Sequence, residues 1–337
     1  MMLNIAILKK PQESAITFYR LAPWLDLARD CRHLVKVMPA TEFTPDTARF
    51  FDVLICHRPG HISDLSAIYV AKKLGIKVIV DLDDLLWNIP IGNEAWRFYD
   101  KNADDILMRS LINADTITVS TPALRDEVEQ RFGKRPIVVR NAIPPSLFYL
   151  NRNPELIEIE TPEGQKPKPI KILWRGSNTH AADLYTHRDA FVNSKRIEWH
   201  FFGATPWFFL QDYGGQLPDF IQHTHTANIL DYFEKLAEIR PHFIIVPLEE
   251  NAFNNCKSEI AMLEAWLVGA GCIAPEWQDN FAPSEVRFKN PSDLKDKIKV
   301  PLVTFGKTLE NKLNALQRYW EIAQFNRSQI IKDLVKI

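Results

Sequence analysis

No cysteine pair of the CxxC type occurs in this chain; Cys31, Cys56, Cys256 and Cys272 stand far apart. That spacing argues against a thiolate zinc site or a dithiol redox centre and fits reduced, mostly buried thiols. No apolar run is long enough to cross a bilayer. The opening LNIAIL, followed by Lys9-Lys10-Pro11, reads as a short strand and lacks a signal-peptide pattern, so the expected location is cytoplasmic. An excess of one charge is missing too: 41 basic against 42 acidic residues leave a formal net charge of -1. This gives no global attraction to nucleic acid or an anionic membrane, although a local basic patch stays open. A GxSxG elbow, an HExxH pair, a Walker loop, internal repeats and low-complexity segments are all absent. What is there is a 337-residue chain with 46% hydrophobic and 25% charged residues, enough for two ordinary soluble domains.

Along the chain, short apolar runs alternate with helical ones. Leu3–Leu8, Val35–Met38, Asp52–Cys56, Lys77–Asp81, Thr116–Ser120 and Ile137–Arg140 read as strands. Helices are expected around Ala15–Asp30, Leu65–Leu74, Trp96–Asn113 and Pro122–Phe132, the last stopped by Gly133. Continuously apolar strands separated by helices signify a parallel sheet covered on both faces. From Asn141 to Pro169 the pattern lapses, with six prolines (144, 145, 154, 162, 167 and 169) and several charges. Alternation restarts with strands at Lys171–Trp174, Glu198–Phe202 and Phe243–Val246 and a helix at Ile229–Ile239, ending in a helical tail over Thr308–Ile337 with a break near Phe325–Arg327. The expected fold is α/β, with two doubly wound Rossmann-like domains facing each other across a cleft. The first covers 1–145, a proline-rich excursion 146–169 and the second 170–314, with the helix of about 315–337 packing back on the first.

Ligands of open α/β sheets gather at the carboxyl ends of strands, so residues there are the candidates. Ile244–Pro275 reads as a strand, an Asn-rich loop, a helix, a glycine turn and another strand. Lys257 and Glu264 are seven residues apart, which on a helix puts them on nearly one side, roughly 10 Å apart. Their neighbours Ile260, Met262, Leu263, Trp266 and Leu267 are apolar. Either the charged side faces a cleft, or the helix is half-buried with an ordinary charged exposed side. A lysine at a helix N-terminus makes an anion site, and a glutamate two turns on can accept hydrogen bonds from a diol; phosphate plus ribose is a nucleotide.

Arg175, Gly176 and Ser177, after the first strand of the second domain, offer a guanidinium, a closely approachable backbone and a hydroxyl, the parts of a phosphate cradle. A loop arginine alone is usually solvated; its position lets it converge with Lys257 on one diphosphate. In the first domain Asp81, Asp83 and Asp84 follow a buried strand, where they can hold a divalent metal, receive substrate hydroxyls or form a solvated capping loop. His57 and Arg58 follow another strand, and Arg20 lies near the first helix. The run Gly269-Ala270-Gly271-Cys272-Ile273-Ala274 matches a dinucleotide fingerprint by letter only, because a helix precedes it and a strand follows; it is better read as a helix C-cap and turn. His223 and His225, with His180 and His200, lack Cys or carboxylates at metal spacing and read as loop histidines. Most of the nine tryptophans read as core or domain-interface residues.

Several segments together resemble the GT-B fold glycosyltransferases, specifically the family-four-like group and its bacterial and bacteriophage subset. These are VDLDDLLW, ADTITVSTPALRDEV with VVRNAIPPSLF, ILWRGSNTH and VPLEENAFNNCKSEIAMLEAWLVGAGCIA, in the family's order. The resemblance implies an enzyme whose second domain holds a nucleotide-sugar donor, of UDP type, and whose first holds a hydroxyl acceptor, a saccharide, small molecule, protein or modified DNA base. Arg175 and Lys257 would neutralise the diphosphate as the catalytic pair, and Glu264 would hold the ribose. Gly176, Ser177, Asn254, Asn255 and Ser258 complete the donor side; Arg20, His57, Arg58, Asp81, Asp83 and Asp84 form the acceptor side. Cys256 stands where the family has its first glutamate, leaving Asn254, Asn255 or Glu259 as substitutes. Retention of configuration is implied, with a donor phosphate oxygen taking the acceptor proton; inversion would make Asp81, Asp83, Asp84 or His57 candidate bases. No cofactor and no metal are implied beyond the donor itself. Two alternatives stand beside transfer: an epimerase or hydrolase on the same fold, or a non-catalytic protein that binds a nucleotide sugar or a partner. On this reading Lys257→Ala and Glu264→Ala each weaken nucleotide binding with the fold intact.

Overall fold

The computed structural model describes residues 2–9, 15–98, 101–151, 169–226, 228–299 and 309–335. The chain builds two six-stranded sheets, and every strand pair in both is parallel. The first sheet contains β1 (Asn4–Lys9), β2 (Leu34–Pro39), β3 (Val53–His57), β4 (Lys77–Leu82), β5 (Thr116–Val119) and β6 (Ile137–Val138), in the order β2-β1-β3-β4-β5-β6. The second contains β7 (Ile170–Gly176), β8 (Ile197–Gly203), β9 (Ile221–Thr224), β10 (Phe243–Ile245), β11 (Gly271–Pro275) and β12 (Val286–Phe288), in the order β12-β11-β10-β7-β8-β9. Both are doubly wound, and in the second the order reverses between β7 and β10, which opens a crevice at their carboxyl ends.

The central strands form because their runs suit burial on both faces; every residue of β3 and β11 is buried. Edge strands β9 and β12 escape the sequence reading. One is half-exposed and the other three residues long, so neither carries a full apolar run. His223 accordingly lies in a strand rather than a loop, as does His200, which is buried within β8. The helix Pro122–Phe132 starts where Thr121 accepts from the Leu124 N–H and Pro122 needs no donor, and it stops at Gly133 with φ 67°. Most of the proline-rich 146–169 region, residues 152–168, lies outside the described residues.

The tail is one unbroken helix, Leu309–Val335, with no interruption at Phe325–Arg327. Its apolar face changes partner along its length: Leu316 joins the core of the second domain, whereas Ile330 and Ile331 join that of the first. A changing face, not a broken backbone, disturbs the periodicity in the sequence. At its start the buried Lys312 ammonium donates to the carbonyls of Gly269 and Ala270 at 3.2 and 2.9 Å, beyond the end of the Ile260–Leu267 helix. Gly269, at φ 79°, makes that turn.

A short loop of the second domain is plugged into the first. Phe253 and Cys256 pack in the hydrophobic cluster built on β3 and β4; burying one such aromatic contributes about 2 kcal/mol. The Thr121 hydroxyl, besides capping its helix, donates to the Cys256 carbonyl at 2.9 Å. Arg140 pairs with Glu259 at 2.7 Å, and the Asn141 amide donates to the Ser258 hydroxyl at 2.7 Å.

Candidate functional site

A pocket of about 120 Å³ opens where the second sheet reverses its order. Its floor comes from the ends of β7 and β10, through Trp174, Arg175, Ile245 and Val246, and the first domain closes it with Asp83 and Asp84. Lys257, Ser258, His180 and Asp183 complete the polar wall. The two stretches singled out in the sequence, after β7 and before the Ile260–Leu267 helix, therefore meet. Lys257 sits three residues ahead of that helix rather than on it, with Glu259 as the N-cap.

Each cation of the pocket is matched to a carboxylate. The Lys257 Nζ lies 3.5 Å from Asp84 Oδ1, across the domain boundary, and 4.5 Å from the Phe253 ring centre. Burial pushes the Asp84 carboxyl upward, but Lys257, Arg58 and His180 outweigh it and hold the group at about 2. Arg175 Nε lies 2.6 Å from Glu264 Oε2. That contact is an ion pair rather than an aligned hydrogen bond, because the Nε–H has no acceptor in line. Burial works against the Arg175 charge and Glu264 more than restores it.

Glu264 does not line the pocket. It is only 2% exposed, behind Arg175, and accepts from the hydroxyls of Tyr19 and Tyr232, the latter at 2.9 Å. Burial and the adjacent carboxylate both push these phenols up, so they stay protonated donors. Both alternatives for this helix are corrected here: all seven residues from Ala261 to Leu267 are buried, so its charge faces neither a cleft nor solvent, and the glutamate is satisfied from within. Glu264→Ala is accordingly expected to destabilise the fold rather than leave it intact, since that change would strand Arg175 and two tyrosine hydroxyls.

The first-domain candidates divide into two groups. Arg20, His57 and Asp81 are 0%, 2% and 1% exposed and form a sealed network under the sheet end. Asp81, inside β4 rather than after it, accepts from Arg20 Nε and Nη2, from Thr118 and from His57 Nδ1 at 2.8 Å. Burial opposes its ionisation, but the Arg20 charge and the His57 and Arg20 hydrogen bonds hold it far below the usual carboxylate range. Arg20 also donates to the Val139 carbonyl and to Asn141 at 3.3 Å, so this network braces the link to the second domain. Asp83 and Asp84 do reach the pocket, with Arg58 bonded to both. Among the described residues no His, Cys, Asp and Glu side chains gather as a metal site.

Cys256 turns away from the pocket into the first domain's core, where burial pushes its thiol up to about 12. None of the residues considered as its substitutes lines the pocket. Asn254 is buried and donates to Asp183 and the Glu249 carbonyl at 2.7 and 2.8 Å; Glu259 is fully buried against Arg140. Asn255 is exposed, and Gly176 and Ser177 stand at the end of β7 outside the pocket lining. A Cβ on Gly176 would come within 2.8 Å of the Trp174 ring and 3.4 Å of the His180 ring, so the glycine makes room for those side chains.

His180 and Asp183 were not singled out in the sequence as site residues. Their His-x-x-Asp spacing directly after a strand is the signal that could have found them. Nor did Gln278 and Asn280 draw notice, although their amides donate to the carbonyls of Asn254, Asn255 and Lys257 and hold the loop that presents Lys257.

No family model matches the chain, and no curated protein matches it. Solved structures do. Sucrose-phosphate synthase from Thermosynechococcus elongatus superposes with a TM-score of 0.67 at 12% identity, covering 98% of this chain and 99% of that one. Anabaena Alr3699/HepE in complex with UDP and glucose gives 0.64 at 12% identity, with both chains fully covered. T4 phage β-glucosyltransferase gives 0.55 at 12% identity, again over the whole of both chains. The likeness establishes the fold, the GT-B arrangement of two facing Rossmann-like domains.

Proposed function

We propose that this chain is a glycosyltransferase that moves a sugar from a nucleotide-diphosphate sugar, of UDP type, to a hydroxyl acceptor. The observation that carries the reading is the placing of Arg175 and Lys257 in one pocket at the second sheet's crevice, faced by first-domain carboxylates. Asp84, beside Lys257 in the pocket lining, occupies a position that an anionic phosphate oxygen favours. Support of another kind comes from the fold's relatives, two of which carry UDP in their structures, one with glucose and the other a T4 phage enzyme with Mn2+. A pocket of about 120 Å³ is small beside the roughly 300–1,000 Å³ of most ligand sites. Donor entry therefore parts the domains here and displaces Asp84 from Lys257.

In the reaction the bond from the sugar's anomeric carbon to the β-phosphate oxygen breaks and a bond to the acceptor oxygen forms on the same face, with retention. The acceptor proton passes to the departing phosphate. Arg175 and Lys257 stabilise the diphosphate's growing charge, and in this reading they take the place of a metal ion. Asp83 and Asp84 orient the acceptor, a saccharide or a modified DNA base. Asp81, His57 and Arg20 act as its structural support, because Asp81 and Arg20 are paired within the sealed network and His57 is held there through Nδ1.

Thermal shift against nucleoside diphosphates and nucleotide sugars, with EDTA present, tests this. Stabilisation is expected from the uridine series, by about 2.7 kcal/mol at a hundredfold excess over Kd. A folded protein that responds to none of them refutes the donor site, and a requirement for added divalent metal refutes the cation-only reading. Free sugar released at the same rate with and without acceptors would favour a hydrolase.

A further inference from the structure

Arg175 and Lys257 are not the only cationic candidates on the pocket wall. We propose that His180, held by Asp183, is a third contact for the donor diphosphate and takes up a proton at Nε2 when the donor binds. This assignment rests on the donor-site reading above.

The geometry is that of an imidazole fixed on one side and open on the other. His180 Nδ1 lies 2.9 Å from Asp183 Oδ2. The other oxygen of Asp183 accepts from the Glu249 N–H at 3.0 Å and the Asn254 amide at 2.7 Å, so the carboxylate cannot turn. Burial would raise the Asp183 carboxyl, but the hydrogen bonds from His180 and Glu249 and the nearby cations keep it below the ordinary value. An ionised carboxylate only accepts, so Nδ1 carries the hydrogen and Nε2 is the atom left to titrate. Among the described residues Nε2 has no hydrogen-bond partner. The absent Cβ of Gly176 leaves room for the ring's Cδ2 edge, beside Nε2.

The groups facing the ring are Asp183 from its own helix, Arg175 from β7, Lys257 from the loop before the Ile260–Leu267 helix, and Asp84 from the first domain. Burial lowers the imidazole's proton affinity; Asp183 opposes that, and Lys257 and Arg175 add to the lowering. Beside these two cations His180 is therefore neutral at pH 7. A diphosphate reverses the balance, since its charges compensate both cations and favour an imidazolium donor. The proton comes from solvent, and no bond other than N–H is made.

Calorimetry of the full chain with UDP-glucose near pH 7, in buffers of different ionisation enthalpy, measures protons taken up per donor bound. Both phosphates of UDP-glucose are diesters that do not titrate near neutrality, so any uptake belongs to the protein. The expected result is a substantial fraction of one proton, with affinity falling as the pH rises from about 6 to 8. In His180→Asn the uptake disappears and affinity drops roughly tenfold, the range of one charge-assisted hydrogen bond. Binding without proton uptake by the wild-type chain overturns the assignment and leaves the donor site standing. So does uptake that persists in the variant. Failure of UDP-glucose and every other nucleotide sugar to bind overturns the donor-site reading and this inference together. The wild-type measurement decides the matter even if the variant does not fold.

Discussion

Replacing Asp84 with asparagine should make the protein less stable and, on the proposed function, its binding of UDP tighter. The carboxyl is held at about 2 against an ordinary 3.8, a gap of nearly two units, or about 2–3 kcal/mol of preference for the charged form in the folded state. Because the folded value is depressed, this contribution is complete above about pH 4 and is lost as the pH falls through about 2. At pH 7 the variant forgoes it, and a melting temperature lower by roughly 4–8 °C is expected. The gap between variant and wild type should be level from about pH 5 to 8 and narrow below about pH 4. Donor binding moves the opposite way. At 3.5 Å from Lys257, the carboxylate holds the lysine with a gross attraction of about 5 kcal/mol at an effective dielectric of about 20. Most of this is offset, since Arg58 shares the carboxylate and the parted groups regain water. If about 1.4 kcal/mol survives, UDP binds the variant roughly tenfold tighter by calorimetry. Weaker binding together with lower stability would refute the reasoning, because it would mean that Asp84 supports the donor rather than standing in its place.

Glu264→Ala should destabilise the chain by about 3–5 kcal/mol in urea titration, since it leaves Arg175 partly buried with no carboxylate. Glu264→Gln should lose less, and a normally stable alanine variant would show that the tyrosines re-pair. Cys256→Glu, which restores the residue expected from the family resemblance, should destabilise by several kcal/mol without raising transfer activity. Its carboxyl would enter the apolar cluster around Phe253; a soluble variant with increased product formation would contradict that. Gly203→Ala should unfold or severely destabilise the second domain, seen as loss of the cooperative melt. The backbone there has φ 113°, and a Cβ would meet the Gly176 carbonyl oxygen at 2.3 Å.

Much of the architecture was legible in the linear chain. The strands of both sheet centres announce themselves as short apolar runs because burial on both faces leaves no polar alternation to read. Thr121, Pro122 and Gly133 mark a helix through local backbone chemistry alone. The rule that ligands sit at strand ends picked out Arg175, Lys257, Asp83 and Asp84 from residues more than 80 positions apart, and these do share one pocket. Edge strands β9 and β12 were hidden because half-exposed or three-residue segments carry little pattern.

Local sequence could not decide which charges face solvent, which face a ligand and which face each other. Glu264 appears as one acidic letter on an apolar helix, whether it awaits a ribose or, as here, is enclosed by Tyr19, Tyr232 and Arg175. Tyr19 arrives from 245 positions away, and no periodicity reports that. Asp81 and Asp84 look alike in the sequence, yet β4 buries one against Arg20 and the turn after it sends the other across to Lys257. Secondary structure and sheet type follow from near-neighbour sterics and burial patterns, which the sequence determines by itself. The pairing of buried charges depends on which elements the two folded domains bring face to face, and only the tertiary structure decides that.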